Sequence, residues 1–193
     1  MQGPSGILYF TTNNPGLGRI TTDGVVLDFV APVNNLANGG GIAARGNAIW
    51  YTDFNNDSLW RYDVPSEQFT EFPVPTPGTD PLDVAVASDG KVWFTDRFNH
   101  RVGYLDPSTN EVRQFATLNP NAGPLDIASA PTGGSVWFTQ TLTGNVARAT
   151  PAGVITEGKA VRNSDPFRIT IGPGDNPWYT MSSANKIARL TLN

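Results

Sequence analysis

Two sets of polar side chains recur at fixed places in an otherwise sparsely charged chain of 193 residues. Asp83, Asp126 and Arg168 each lie one residue inside a short apolar run, whereas Asp53, Asp96 and Gln140 each follow an aromatic-aromatic-threonine triplet. Hard divalent cations take carboxylate and amide oxygens, and a few convergent polar groups orient small ligands. Asp53 and Asp96 are therefore candidate metal ligands, for Mg²⁺ or Ca²⁺, and Asp83, Asp126, Arg168 and Gln140 a candidate ligand-binding set. A plainer reading stands beside this one. Carboxylates at strand ends accept backbone N–H bonds in turns, and Arg168 has Asp126 or Asp83 as a structural ion-pair partner.

Other chemistries find little support. Cysteine is absent, which removes disulfides, thiolate nucleophiles and thiolate metal sites. The one histidine, His100, follows Asn99 in an expected turn, where an imidazole is more often solvated or turn-bonded than catalytic. The glycines of Asn38-Gly39-Gly40-Gly41 lead into a strand rather than a helix, which makes them a tight turn and not a phosphate cradle. A net charge of −4 and a pI near 4.8 argue against a nucleic-acid surface, because phosphate binding draws on clustered Lys and Arg. No stretch approaches a membrane span, and Met1-Gln2-Gly3-Pro4 does not open a signal peptide. A soluble protein is expected, secreted or cytoplasmic.

The elements that must position these side chains follow from the triplets, which occur five times: Tyr9-Phe10-Thr11, Trp50-Tyr51-Thr52, Trp93-Phe94-Thr95, Trp137-Phe138-Thr139 and Trp178-Tyr179-Thr180. The threonines are 41, 43, 44 and 41 residues apart, a period that predicts a β-propeller of about five four-stranded blades in one domain. In the third unit, 82–87, 92–95, 102–105 and 112–115 read as strands, separated by turns such as Ser88-Asp89-Gly90. The first unit opens at its second strand and the last stops after its third, which predicts 18 strands. A five-bladed ring with an incomplete closing blade is favoured, over a portion of a larger ring or an open half-ring paired with another copy. Self-association through the incomplete terminal blades is a further expectation, because open sheet edges invite pairing. The aromatic stripe is expected to be core. Arg19, Arg61, Arg148 and Arg189, at one position of the third strand, are expected to bond between blades.

Gly123-Pro124-Leu125-Asp126-Ile127-Ala128, Val136-Trp137-Phe138-Thr139 and Asn145-Val146-Ala147-Arg148, with a variant between 165 and 189, resemble the repeat of the virginiamycin B (streptogramin) lyase family. Thr95 to Val102, with Asn99-His100, resembles NHL-type propeller repeats. The lyase resemblance implies a seven-bladed ring and an elimination, in which a histidine opening an inner strand removes a proton while glutamate-held Mg²⁺ stabilises the enolate. The matching positions here are Gly40, Leu82, Leu125 and Phe167, and none is histidine. After the triplets stand Thr12, Asp53, Asp96, Gln140 and Met181, with no glutamate among them.

No catalytic residue is assigned. The expectation is a lyase-like propeller lacking the family's base, a scaffold that binds a small molecule or protein on its central channel face. The alternatives are a C–O lyase with an altered Mg²⁺ site, or a lactonase-type hydrolase resembling gluconolactonase.

Overall fold

Strands here are short because Gly, Pro, Asn and Asp punctuate the chain every few residues, and the left-handed turns this requires are present. Asp57, His100, Asn110 and Asn185 all take positive φ at hairpin corners. The structure, a computed structural model, describes residues 1–3, 6–12, 16–32, 39–159 and 165–190. Among these, 18 strands form five antiparallel sheets, in agreement with the strand count expected from the repeat.

The first sheet runs β1 (Leu8–Thr11), β2 (Leu17–Ile20) and β3 (Val26–Val30). The second contains β4 (Gly39–Arg45), β5 (Ala48–Asp53), β6 (Ser58–Asp63) and β7 (Gln68–Pro73). The third contains β8 (Pro81–Val86), β9 (Val92–Asp96), β10 (Arg101–Asp106) and β11 (Glu111–Ala116). The fourth contains β12 (Pro124–Ser129), β13 (Val136–Gln140), β14 (Asn145–Ala149) and β15 (Ile155–Lys159), and the fifth β16 (Pro166–Ile171), β17 (Pro177–Met181) and β18 (Lys186–Arg189). Each sheet is a meander in chain order, the connectivity of a propeller blade. Asn38 of the glycine run and Leu192 of the expected last strand lie outside the described residues. The first sheet gains a partial fourth member: the Met1 amino group donates to the Tyr9 carbonyl at 2.7 Å, and Tyr9 N donates back to Met1 O at 2.8 Å.

The chain divides into two compact units, Met1–Val84 and Ala85–Asn193, with the division inside β8. In the first, Tyr9, Leu17, Ile49, Tyr51, Trp60 and Tyr62 form the core. In the second, Trp93, Tyr104, Val136 and Phe138 centre one cluster, and Trp137, Val146, Ile169 and Tyr179 another. Eight of the ten triplet aromatics are therefore core and Phe10 and Trp178 are half-buried, with ring pairs such as Trp93–Tyr104 at 5.0 Å.

The recurring arginines behave less uniformly than their spacing implies. Arg19 pairs with Asp28 on the adjacent strand and reaches Glu67 at 3.0 Å and the Tyr62 hydroxyl at 3.4 Å, both on the next sheet. Arg61 instead pairs with Asp63 at 3.0 Å, Arg148 donates to Ser135 Oγ at 3.1 Å, and Arg189 lies over the Trp178 ring at 5.9 Å. Among the described residues, bonding to the next sheet is thus seen for Arg19, through Glu67 in the β6–β7 turn and Tyr62 on β6.

Candidate functional site

Two of the polar positions singled out in the sequence, Asp126 and Arg168, stand at one local device, a β-bulge in the first strand of a blade. In β4 the pairing with β5 slips between Gly39 and Ile42, in β12 the pairing with β13 slips between Pro124 and Ile127, and in β16 the pairing with β17 slips between Pro166 and Ile169. One extra residue stands on the first strand each time. Gly40-Gly41, Leu125-Asp126 and Phe167-Arg168 thereby face a single triplet threonine, Thr52, Thr139 or Thr180. A bulge leaves a backbone N–H out of the ladder and re-aims the side chains that flank it.

The threonine hydroxyl takes up what the bulge releases. Gly41 N donates to Thr52 Oγ1 at 2.9 Å, Asp126 N to Thr139 Oγ1 at 3.2 Å and Arg168 N to Thr180 Oγ1 at 2.9 Å. Two of these hydroxyls, with those of Thr11 and Thr95, donate onward to the next blade. Thr11 bonds Gly40 O at 3.0 Å, Thr52 bonds Leu82 O at 3.0 Å, Thr95 bonds Leu125 O at 2.8 Å and Thr139 bonds Phe167 O at 3.1 Å. These role assignments fit a hydroxyl, which both donates and accepts. The threonine stands in all five triplets, but the sequence carries no sign of the bulge that its hydroxyl serves.

Asp126 and Arg168 are brought together. Arg168 Nη1 donates to Asp126 Oδ1 at 2.8 Å, and Ile169 N donates to Asp126 Oδ2 at 2.6 Å, so this one carboxylate is engaged through both oxygens by β16. The Arg168 guanidinium also lies over the Phe167 ring, 5.2 Å from its centroid. In the first unit, Asp83 occupies the corresponding place on β8. A Cβ on Gly41 would overlap Asp83 Oδ1 and come within 2.6 Å of Asp83 Cα, so glycine is needed for β4 to approach β8 this closely.

The residues after the triplets are buried in their own turns. Asp53 accepts from Asn55 N at 3.2 Å and Asn56 Nδ2 at 2.8 Å. Asp96 accepts from Asn99 N and Asn99 Nδ2, both at 3.1 Å. Gln140 is fully buried, with its Oε1 3.4 Å from the Thr143 hydroxyl and its Nε2 without a hydrogen-bond partner among the described residues. Asp53 and Asp96 thus each accept hydrogen bonds within their own turn. Among the described residues no group of three or more His, Asp and Glu side chains is disposed to hold a metal. His100 sits at a left-handed corner, and its Nδ1 accepts from Gly123 N at 3.2 Å, the residue before β12. Its lone pair is thus used to fix the approach to the Leu125-Asp126 bulge.

A separate cavity of about 530 Å³ in the first unit is lined by Val30, Pro32, Trp60, Glu67, Phe69 and Glu71 among others. No helix among the described residues is long and apolar enough to cross a membrane.

Comparison with known proteins agrees with this architecture. The model of the virginiamycin B lyase family matches residues 1–193. A catalytically inactive virginiamycin B lyase variant from Staphylococcus aureus with quinupristin superposes with a TM-score of 0.88 at 31% identity, over 100% of this chain and 66% of that one. A streptogramin B lyase structure gives a TM-score of 0.86 at 23% identity, over 100% of this chain and 67% of that one. A gluconolactonase from Xanthomonas campestris gives 0.69 at 19% identity, over 90% of this chain and 65% of that one, a likeness of fold alone. Comparison with curated protein sequences finds no match. The chain spans 66% of the length of the Staphylococcus aureus lyase. With blades, triplets and repeat all in agreement, this all-β, propeller-type chain belongs to the virginiamycin B lyase family.

Proposed function

We propose that the blades of this chain form a ligand-binding scaffold rather than a lyase active site. One observation carries the reading. At the first-strand positions where the family resemblance places a proton-abstracting histidine, the chain has Gly40, Leu82, Leu125 and Phe167, whose carbonyls accept the triplet threonine hydroxyls. Elimination needs a base within reach of an acidic C–H. The single imidazole, His100, is engaged with Gly123 N, and Asp126 is engaged by Arg168 and Ile169 N. What remains at this register is a set of polar and apolar groups suited to holding a small molecule or a partner segment.

Quinupristin is the substance in the related lyase structure and supplies the test. The purified chain incubated with quinupristin and Mg²⁺ is expected to leave the ring intact, as read by chromatographic separation of the closed and linear forms. Catalytic accumulation of the linear form would overturn the proposal.

A further inference from the structure

We propose that the cavity between the end of β3 and the β6–β7 hairpin binds a small organic ammonium ion, with Glu71 beside the charged head and Trp60 and Phe69 against the apolar body. The proposal goes beyond the scaffold reading above and uses none of the residues at the bulges. It starts from a departure in the repeat. The second aromatic of a triplet faces a small residue on the following strand in four sheets: Phe10 faces Gly18, Phe94 faces Gly103, Phe138 faces Ala147 and Tyr179 faces Ala188. In the second sheet Tyr51 faces Trp60 instead. What the blades share is thus met by glycine or alanine, and the indole is additional.

The cavity forms where this indole stands. Trp60 is paired with Glu71 across β6 and β7, as Tyr62 is with Phe69. Residues paired in this way, or two apart on one strand, share a face. Trp60, Phe69 and Glu71 therefore stand together, and with Val30, Ala31 and Pro32 they line a space of about 530 Å³, the size of a small-molecule site. The rings are held by one another: Trp60 stacks on Tyr51 at 6.4 Å, and Phe69 lies 4.7 Å from Tyr62 and 6.4 Å from Trp60. A wall fixed in advance loses little freedom on binding. Trp60 is 6% exposed, and its Nε1 has no hydrogen-bond partner among the described residues. A buried donor left over in a cavity wall is a sign of a ligand that is independent of charge.

Charge gives the class. The described lining includes Glu67 and Glu71 and no Lys or Arg. Arg19 meets Glu67 at 3.0 Å but is shared with Asp28, whereas Glu71 has no ion-pair partner among the described residues. An anion is therefore repelled here and a cation attracted. Aromatic and aliphatic groups beside the carboxylate favour an ammonium on an apolar body over a bare, strongly hydrated metal ion.

2-Phenylethylamine, charged at neutral pH, and the uncharged 2-phenylethanol are the probes, followed in ¹H–¹⁵N spectra through the Trp60 indole N–H and the 69–71 amides. The amine is expected to give saturable shifts with a dissociation constant of roughly 1–10 mM, in line with a fragment-sized contact, and the alcohol at least about tenfold weaker binding. Glu71→Gln, at an exposed place on β7, removes the charge and is expected to weaken the amine about tenfold. Ala31→Leu keeps both carboxylates but takes up space beside them, and is expected to weaken it also. Equal binding of amine and alcohol, equal shifts with Mg²⁺, unchanged affinity in either variant, or no saturable shift with the amine up to ~50 mM would each overturn the proposal. The comparison of probes uses the unaltered chain, so it decides even where a variant fails to fold. None of these results bears on quinupristin turnover, which tests the scaffold reading separately.

Discussion

Thr139 shows how one hydroxyl joins two blades. It accepts from Asp126 N and donates to Phe167 O, and it is fully buried. Thr139→Val keeps the shape but strands a buried amide and removes the link to β16. The expected loss is about 2–3 kcal/mol, because an unsatisfied buried group costs its desolvation. Thr139→Ser keeps both bonds and should lose about 1 kcal/mol or less, for one buried methyl. Urea denaturation of the two variants checks this, and equal losses would show that the methyl and not the hydroxyl matters. Of the candidate site, residue types were legible and partners were not. Asp126 and Arg168 stand in the same repeat register, and that hinted at pairing. Sequence position sets Asp126 apart from Asp53 and Asp96, which serve their own turns, but left Arg168 with either Asp126 or Asp83 as its partner.

Hairpin corners govern the acid response of the strands. The Ser66 hydroxyl and backbone N hold the Asp63 carboxyl below the usual aspartate range, and Ser108 does the same for Asp106 with a smaller contribution from Lys91. The Arg19 side chain lowers Asp28 likewise. A carboxyl lowered in the folded state gives stability that is complete above its unfolded value near 4 and is lost as pH falls through the folded one. The melting temperature should therefore be flat from about pH 7 to 5 and drop below about pH 4. Asp106→Asn should make that drop shallower, which a pH series of thermal melts checks; an unchanged slope would show that the β10–β11 corner contributes nothing. The strands themselves were legible from alternation and aromatic spacing. The bulges were not, because a one-residue slip inside Leu-Asp-Ile or Phe-Arg-Ile disturbs the apolar pattern too briefly to register.

Across the whole molecule, family membership sets an expectation about metal that the donor groups here do not support. The Asp53 and Asp96 carboxylates are bonded within their own turns. A ligand specific to the native state raises the melting temperature in proportion to the logarithm of its saturation. Addition of Mg²⁺ or Ca²⁺ at millimolar concentration should therefore leave the melting temperature where it was. A saturable rise with either ion would require a carboxylate set that these turns release. The fold class was legible because a 41–44-residue period admits few architectures. The function was less so, since repetition advertises what every blade shares.

The threonine bonds run in one sense along the chain: the Thr52 and Thr139 hydroxyls each accept a hydrogen bond from an amide of their own sheet and donate one to a carbonyl of the next. A duplicated or deleted unit would therefore arrive with its connector already in place, and the new junction would resemble every old one. Gain or loss of a whole unit between triplets spares this wiring, whereas a break between a threonine and its following first strand leaves a carbonyl and a hydroxyl stranded. A chain of such like parts can gain or lose a unit without inventing a new seam.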